Sequence, residues 1–197
     1  MQNKDGLKIG VFGSAACDES EALCDVAFEM GRYIAEHGHI VVTGACEGLP
    51  HRAVSGAKQS GGRAIGFTAA CDGASHETLM KTSVDQFDEL VYIPTDYHYR
   101  DDIRVCRKYR NIVSVSHCDA ALFISGRWGT LNEFSIAFDL EKTIGVYTKE
   151  GKFSTQAKSL ISFFNKPSDS TIIYSDCPTD LVGRVIDSVI EVNHVGF

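Results

Sequence analysis

Residues 119–133 read Asp119-Ala-Ala-Leu-Phe-Ile-Ser-Gly-Arg-Trp-Gly-Thr-Leu-Asn-Glu133, an unbroken apolar run, a turn with two glycines, then a helix-forming sequence. An apolar run of this length without polar alternation reads as a strand covered on both faces, as in the middle of a parallel sheet. Glycines after it permit close backbone approach, and the helix beyond them starts with free N–H groups that attract anions. Strand, glycine turn and helix make one half of a parallel crossover unit.

The rest of the chain repeats that unit. Residues 8–14 form a first strand, ending in Gly-Ser. A helix follows with Leu23, Val26, Ala27, Met30, Tyr33 and Ile34 at the three-and-four spacing of one buried face. Asp18 with Glu21 reads as its capping box and Gly38 as its stop. Residues 39–43 make a second strand. Pro50 then suits the first turn of a helix carrying Ala53, Val54 and Ala57, halted by Gly61-Gly62 before a third strand at 63–67. Residues 69–86 read as a connector, with a short helix possible inside it. Strands at 89–93, 119–124, 143–147 and 171–174 alternate with helices near 101–117, 130–141, 153–164 and from Pro178 onward. On the 101–117 helix the apolar side is expected at Val105, Cys106, Tyr109, Ile112 and Val113. Strands separated by helices of this length cannot be hairpins, so the expected architecture is α/β. It is a Rossmann-like, doubly wound parallel sheet flanked by helices, with residues 1–197 as a single domain.

Composition narrows the function. Of 197 residues, 44% are hydrophobic and 23% charged, ordinary globular usage. The formal net charge of -7 would repel a nucleic-acid backbone, so the expected partner is a small anion and not a polynucleotide. The chain start lacks the apolar stretch of a secretory leader, and no apolar run approaches the length of a membrane span. The seven cysteines are odd in number and form no C-x-x-C pair. They fit neither a disulfide framework nor a structural zinc site; thiols in a reducing cytoplasm are expected, with no metal.

Ligands of such sheets sit beyond the carboxyl ends of the strands. Three turns there are rich in glycine: Gly13-Ser14 after the first strand, Gly44 through Gly48 after the second, and Ser125-Gly126-Arg127-Trp128-Gly129-Thr130 after the fifth. None matches the dinucleotide G-x-G-x-x-G spacing or the phosphate-loop G-x-x-x-x-G-K-[ST] pattern, so a standard NAD or ATP site is not expected. Thr130 and Glu133 stand three apart and share a helical flank; the same spacing also reads as a capping box. Arg127 either neutralises an anion or is a plain surface charge. Arg104, Arg107, Lys108 and Arg110 cluster on the preceding helix, with Arg107, Arg110 and Asn111 on one face. A guanidinium suits two-point phosphate binding, although a solvated basic face has the same pattern.

Taken together, Arg110-Asn111, Cys118-Asp-Ala, the apolar strand and Ser125-Gly-Arg-Trp-Gly-Thr-Leu-Asn-Glu133 resemble the signature R-[KN]…A-D-A…P-G-G-x-G-T-x-x-E. That signature belongs to the Lonely Guy family, once labelled lysine-decarboxylase-like, and to its relatives the molybdenum-cofactor carrier proteins. The likeness spans roughly residues 8–148. It implies hydrolysis of the N-glycosidic bond of a nucleoside 5′-monophosphate, with Arg110 and Glu133 as the catalytic pair. It further implies Gly126, Gly129 and Thr130 as the phosphate cradle, and Gly13, Ser14, Gly44 and Gly48 lining the nucleotide, with Asn111, Ser125 and Arg127 beside them. A homodimer is implied, and no cofactor is required. The alternative is a carrier or sensor that holds molybdenum cofactor or another nucleotide without turnover. Decarboxylation of lysine is not expected, because nothing marks a Schiff-base lysine. Two departures from the signature stand out: Ser125-Gly126-Arg127 replaces Pro-Gly-Gly, and Asn111 replaces the lysine of typical Lonely Guy enzymes.

Overall fold

The computed structural model describes residues 6–16 and 18–195. Cys17 and residues 1–5, on which the reading of the chain start mostly rests, lie outside them. The strands are β1 (Lys8–Gly13), β2 (Ile40–Thr43), β3 (Arg63–Phe67), β4 (Glu89–Val91), β5 (Ala120–Ile124), β6 (Thr143–Tyr147) and β7 (Ile172–Ser175). The helices are α1 (Glu21–Glu36), α2 (Leu49–Gln59), α3 (Gly73–Met80), α4 (Ile103–His117), α5 (Trp128–Asp139), α6 (Ala157–Phe164) and α7 (Pro178–Val195). The strands form one sheet in the order β4-β3-β2-β1-β5-β6-β7, and every neighbouring pair is parallel.

This order places the reversal between β1 and β5. The chain winds outward from β1 to β4, then returns to the middle and winds the other way. At such a switch point the loops after the two central strands diverge to opposite faces and leave a crevice between them. β5 is buried at every residue, as its apolar run requires. Alternate residues feed two cores. Ile9, Val11, Leu122 and Ile124 pack against α1, α2 and α7, whereas Phe12, Val42, Ala121 and Phe123 face α4, α5 and α6.

Three local expectations change, and one is filled in. The α1 cap is Ser20, whose hydroxyl accepts from the Leu23 amide at 3.1 Å; the helix starts too late for Asp18 to reach it. The 69–86 connector holds α3 and a short 3-10 turn at Val84–Gln86. The helix expected from 130 starts at Trp128. On α4 the buried residues are Cys106, Asn111, Ser114 and Val115, while Ile112 is 54% exposed. The stripe on α4 is shifted because the Asn111 amide nitrogen bonds a partner on α5 and Ser114 donates back to the Asn111 carbonyl, so both donors are satisfied inside. The six described cysteines are free thiols. Among the described residues no helix is long and apolar enough to cross a membrane.

Candidate functional site

The turn after β5 is built around backbone that few side chains tolerate. Ser125 and Gly126 both sit at positive φ, +53° and +104°. A Cβ at Gly126 would collide with the Thr130 side chain, which is buried beneath it. Arg127 precedes the helix at negative φ, -133°, and its side chain is exposed. Replacing glycine there therefore adds a cation at a position that does not call for left-handed backbone. No side chain caps α5, and the amides of Trp128, Gly129 and Thr130 donate to no described residue. Gly129 is exposed, with open space where a side chain would be. An uncapped helix start with its amides free is suited to accept an anion.

Because α5 begins at Trp128, Thr130 is its third residue and not its cap. Glu133 makes no bond to the Thr130 amide, so the capping-box alternative falls. Glu133 is buried, 6% exposed, and accepts no hydrogen bond from a described residue. Burial pushes its carboxyl up to about 7, with the charges of Arg110 and Lys108 pulling the other way.

Arg110 reaches this region from α4. Its Nη1 donates to the Gly44 carbonyl, and its Nε is buried without a partner. A side chain at Gly44 would occupy the place of that guanidinium. Burial pushes the Cys46 thiol up, with the charge of Arg110 pulling the other way and that of Glu133 adding to the rise. Next to Arg110, Asn111 donates Nδ2 to Oδ1 of Asn132 at 2.9 Å, while its own Oδ1 is buried and unpaired. Asn132 adjoins Glu133, so this one bond fixes α4 against α5 beside the Arg110–Glu133 pair.

The loops after β1 and β2 close the crevice. The Leu49 amide donates to the Ser14 carbonyl at 2.9 Å, and Gly48 packs on the backbone of Ser14 and Ala15. Gly13 lies against the Ile124 carbonyl of β5. Packing within the chain thus accounts for Gly13 and Gly48, whereas Gly129 faces open space. Ser125 is also held from within: its hydroxyl donates to Glu19 at 3.0 Å and its amide donates to Ser154 at 3.2 Å. Behind the β2 loop runs a buried polar chain. Thr68 Oγ1 lies 2.9 Å from His76 Nδ1, His76 Nε2 lies 3.1 Å from Thr82 Oγ1, and Thr82 donates to the Ala45 carbonyl at 3.3 Å. Ala45, with φ +45°, is the residue after Gly44. Cys46, Asn132, His76 and Glu19 were not among the residues expected from sequence. They lie in different segments, and no motif links them.

A family model described as SLOG cluster4 matches residues 6–182. An uncharacterised protein of Archaeoglobus fulgidus is 28% identical over 138 residues, 70% of this chain and 78% of its own length. Among solved structures, the molybdenum cofactor carrier protein of Chlamydomonas reinhardtii superposes with a TM-score of 0.69 at 20% identity, covering 94% of this chain and 99% of that one. DNA processing protein A of Helicobacter pylori, whose structure concerns single-stranded DNA binding, superposes with a TM-score of 0.63 at 12% identity, over 95% and 82% of the two chains. At these identities the structural likenesses show a common fold, on which proteins named for a small cofactor and for DNA both occur.

Proposed function

The chain belongs to the SLOG cluster4 family, and from that premise we propose that its crevice binds a nucleoside 5′-monophosphate and hydrolyses the N-glycosidic bond. The observation that carries this reading is the state of Glu133. It is a buried carboxyl with no hydrogen-bond donor, raised to about 7, under the influence of Arg110 and next to an open helix start. Neither fold stability nor helix capping calls for such a group, and acid–base chemistry near neutral pH does.

In the proposed reaction the phosphate rests on the free amides of Gly129 and Thr130, with Arg127 at the rim. As the bond from the ribose to the base breaks, positive charge develops at the anomeric carbon. Ionised Glu133 stabilises that charge and takes a proton from the attacking water, and that proton passes through solvent to the departing base, which returns Glu133 to its ionised form. The products are free base and ribose 5-phosphate. Arg110, oriented by the Gly44 carbonyl, holds the ligand's negative charge near Glu133. The reaction needs ionised Glu133, so kcat/KM should fall as pH drops below about 7, and Glu133→Gln should remove that limb with most of the rate. Release of base from AMP and GMP, followed by chromatography, tests this. No release above background from either, with ribose 5-phosphate still bound, would overturn the hydrolase reading.

One observation favours a second reading, retention of molybdenum cofactor or a nucleotide without turnover. Arg110 is engaged by Gly44, and Asn111, which stands in place of a lysine, is tied to Asn132. A purified protein that carries a pterin chromophore would support it. We further take the chain to act as a cytoplasmic homodimer that does not bind nucleic acid. The net charge of -7 supports the absence of nucleic-acid binding, and the six described free thiols a reducing compartment; the homodimer rests on the family resemblance.

A further inference from the structure

Between α5 and α6 runs an apolar groove of about 180 Å³, lined by Leu131, Phe134, Phe138, Leu160, Ile161 and Phe164. α6 reads Ala157-Lys-Ser-Leu-Ile-Ser-Phe-Phe164, yet of these residues Ala157 alone is buried. The walls of the groove are fixed by the rest of the chain. Phe134 packs edge-to-face on Phe123 and Phe153, with ring centroids 5.2 and 5.1 Å away. The segment after α6 is tied back to α5, because the hydroxyls of Ser168 and Ser170 donate to the Phe138 carbonyl at 3.1 and 3.0 Å. The groove is therefore preformed. An apolar cavity of about 150 Å³ takes up benzene, so this one has room for a single aromatic ring.

Such a ring stands beside the groove on the same helix. Phe163 is 80% exposed and adjoins Phe164, itself 70% exposed, with centroids 5.3 Å apart and planes nearly perpendicular. Phe163 does not line the groove of its own chain. Two adjacent phenylalanines left in water beside an apolar groove mark a contact surface. Charge narrows the choice of what covers it. The chain carries a net -7, so two copies repel each other over most of their surface. The charged groups at this groove, Asp139 and Lys166, form an ion pair of opposite sign, so a second copy meets no net charge there. A knob and a hole of matching size on one face are self-complementary, since a two-fold axis between them seats each knob in the other's hole. A partner of different sequence fills the hole and leaves the knob in water.

We propose that two copies of this chain associate through the α5–α6 face, with Phe163 of each seated in the groove of the other. The proposal rests on the homodimer reading given above and names its contact surface; its own grounds are the ring, the hole and the neutral charge. Leu131 of the groove follows Thr130 of the free helix start, so the contact falls on the helix that bears Glu133.

Sedimentation of the full chain over a range of concentrations tests it, with wild type, Phe163→Asp and a Phe163→p-benzoylphenylalanine variant. Wild type should form a dimer that persists in about 1 M salt, where exposed charges are screened. Phe163→Asp should weaken self-association about 30-fold, the loss expected of a central aromatic anchor. Phe163 is exposed, so in dilute solution the Tm of that variant should match that of wild type. In a mixture of isotope-labelled and unlabelled chains, the photoreactive ring at position 163 should cross-link to Phe138 of the partner subunit or to Leu160 of the partner subunit. A dimer indifferent to Phe163→Asp, a dimer that salt dissolves, or cross-links that miss the groove overturns the α5–α6 contact while the homodimer reading stands. A wild type that stays monomeric at every concentration removes the homodimer and this contact together, and leaves the groove to a partner of another sequence.

Discussion

Glu133 carries a free-energy cost that its neighbours only partly offset. Its folded value of about 7 lies above the 4.5 of a free glutamate, so between those values the folded state holds more protons than the unfolded state. Stability from this group is therefore present at low pH and is lost as pH rises through about 7. At 1.36 kcal/mol per unit, the full penalty is on the order of 3 kcal/mol above neutrality. Glu133→Gln, which keeps the shape and discards the charge, should raise the Tm at pH 8 and leave it nearly unchanged at pH 5. Equal shifts at both pH values would mean that the carboxyl is not desolvated. A gain in stability with a loss of function is the usual mark of a site residue. The sequence alone left Glu133 undecided, because Thr-x-x-Glu is the same string whether the glutamate caps a helix or faces a cleft. What separates the two is where α5 starts, and that depends on the positive φ values at Ser125 and Gly126.

At the scale of elements, the loop after β2 and the start of α5 are shaped by contacts from beneath. Gly126→Ala would force a side chain into Thr130 at a φ that disfavours it. It should cost about 2 kcal/mol or more in chemical denaturation, with weaker ribose 5-phosphate binding. The buried chain behind Ala45 has one consistent direction. The Ala70 amide donates to Thr68, Thr68 donates to His76 Nδ1, His76 Nε2–H donates to Thr82, and Thr82 donates to the Ala45 carbonyl. Burial lowers the His76 pKa, which keeps the ring neutral as this chain requires. His76→Ala strands two buried hydroxyls and should destabilise by about 2–3 kcal/mol. It should also loosen the hold of Gly44 on Arg110, so that ligand affinity falls although His76 touches no ligand. Unchanged affinity in a folded variant would show that the chain does not set the loop. None of this was legible beforehand, since residues 45, 68, 76 and 82 share no periodicity. The α4 face was misread for a related reason: periodicity counts apolar residues, and here Asn111 and Ser114 are buried through hydrogen bonds.

Across the whole molecule, legibility followed burial. Continuous apolar strands and glycine stops fixed the alternation of elements, and the boundaries of β3 and β6 agree with the pattern. The strand order brings the loops after β1 and β5 to the switch point. The fold is also shared with a protein of DNA processing, so fold alone does not select the ligand. The proposed small-ligand role predicts, from the net charge of -7, that a single-stranded oligonucleotide shows no retention at 150 mM salt; retention in a gel-shift titration would contradict it. A crystal structure with ribose 5-phosphate in the crevice would examine the joint placement of anion, guanidinium and acid. The phosphate should lie on the amides of Gly129 and Thr130, with the sugar between Arg110 and Glu133. A phosphate bound elsewhere, with that helix start left to solvent, would contradict it.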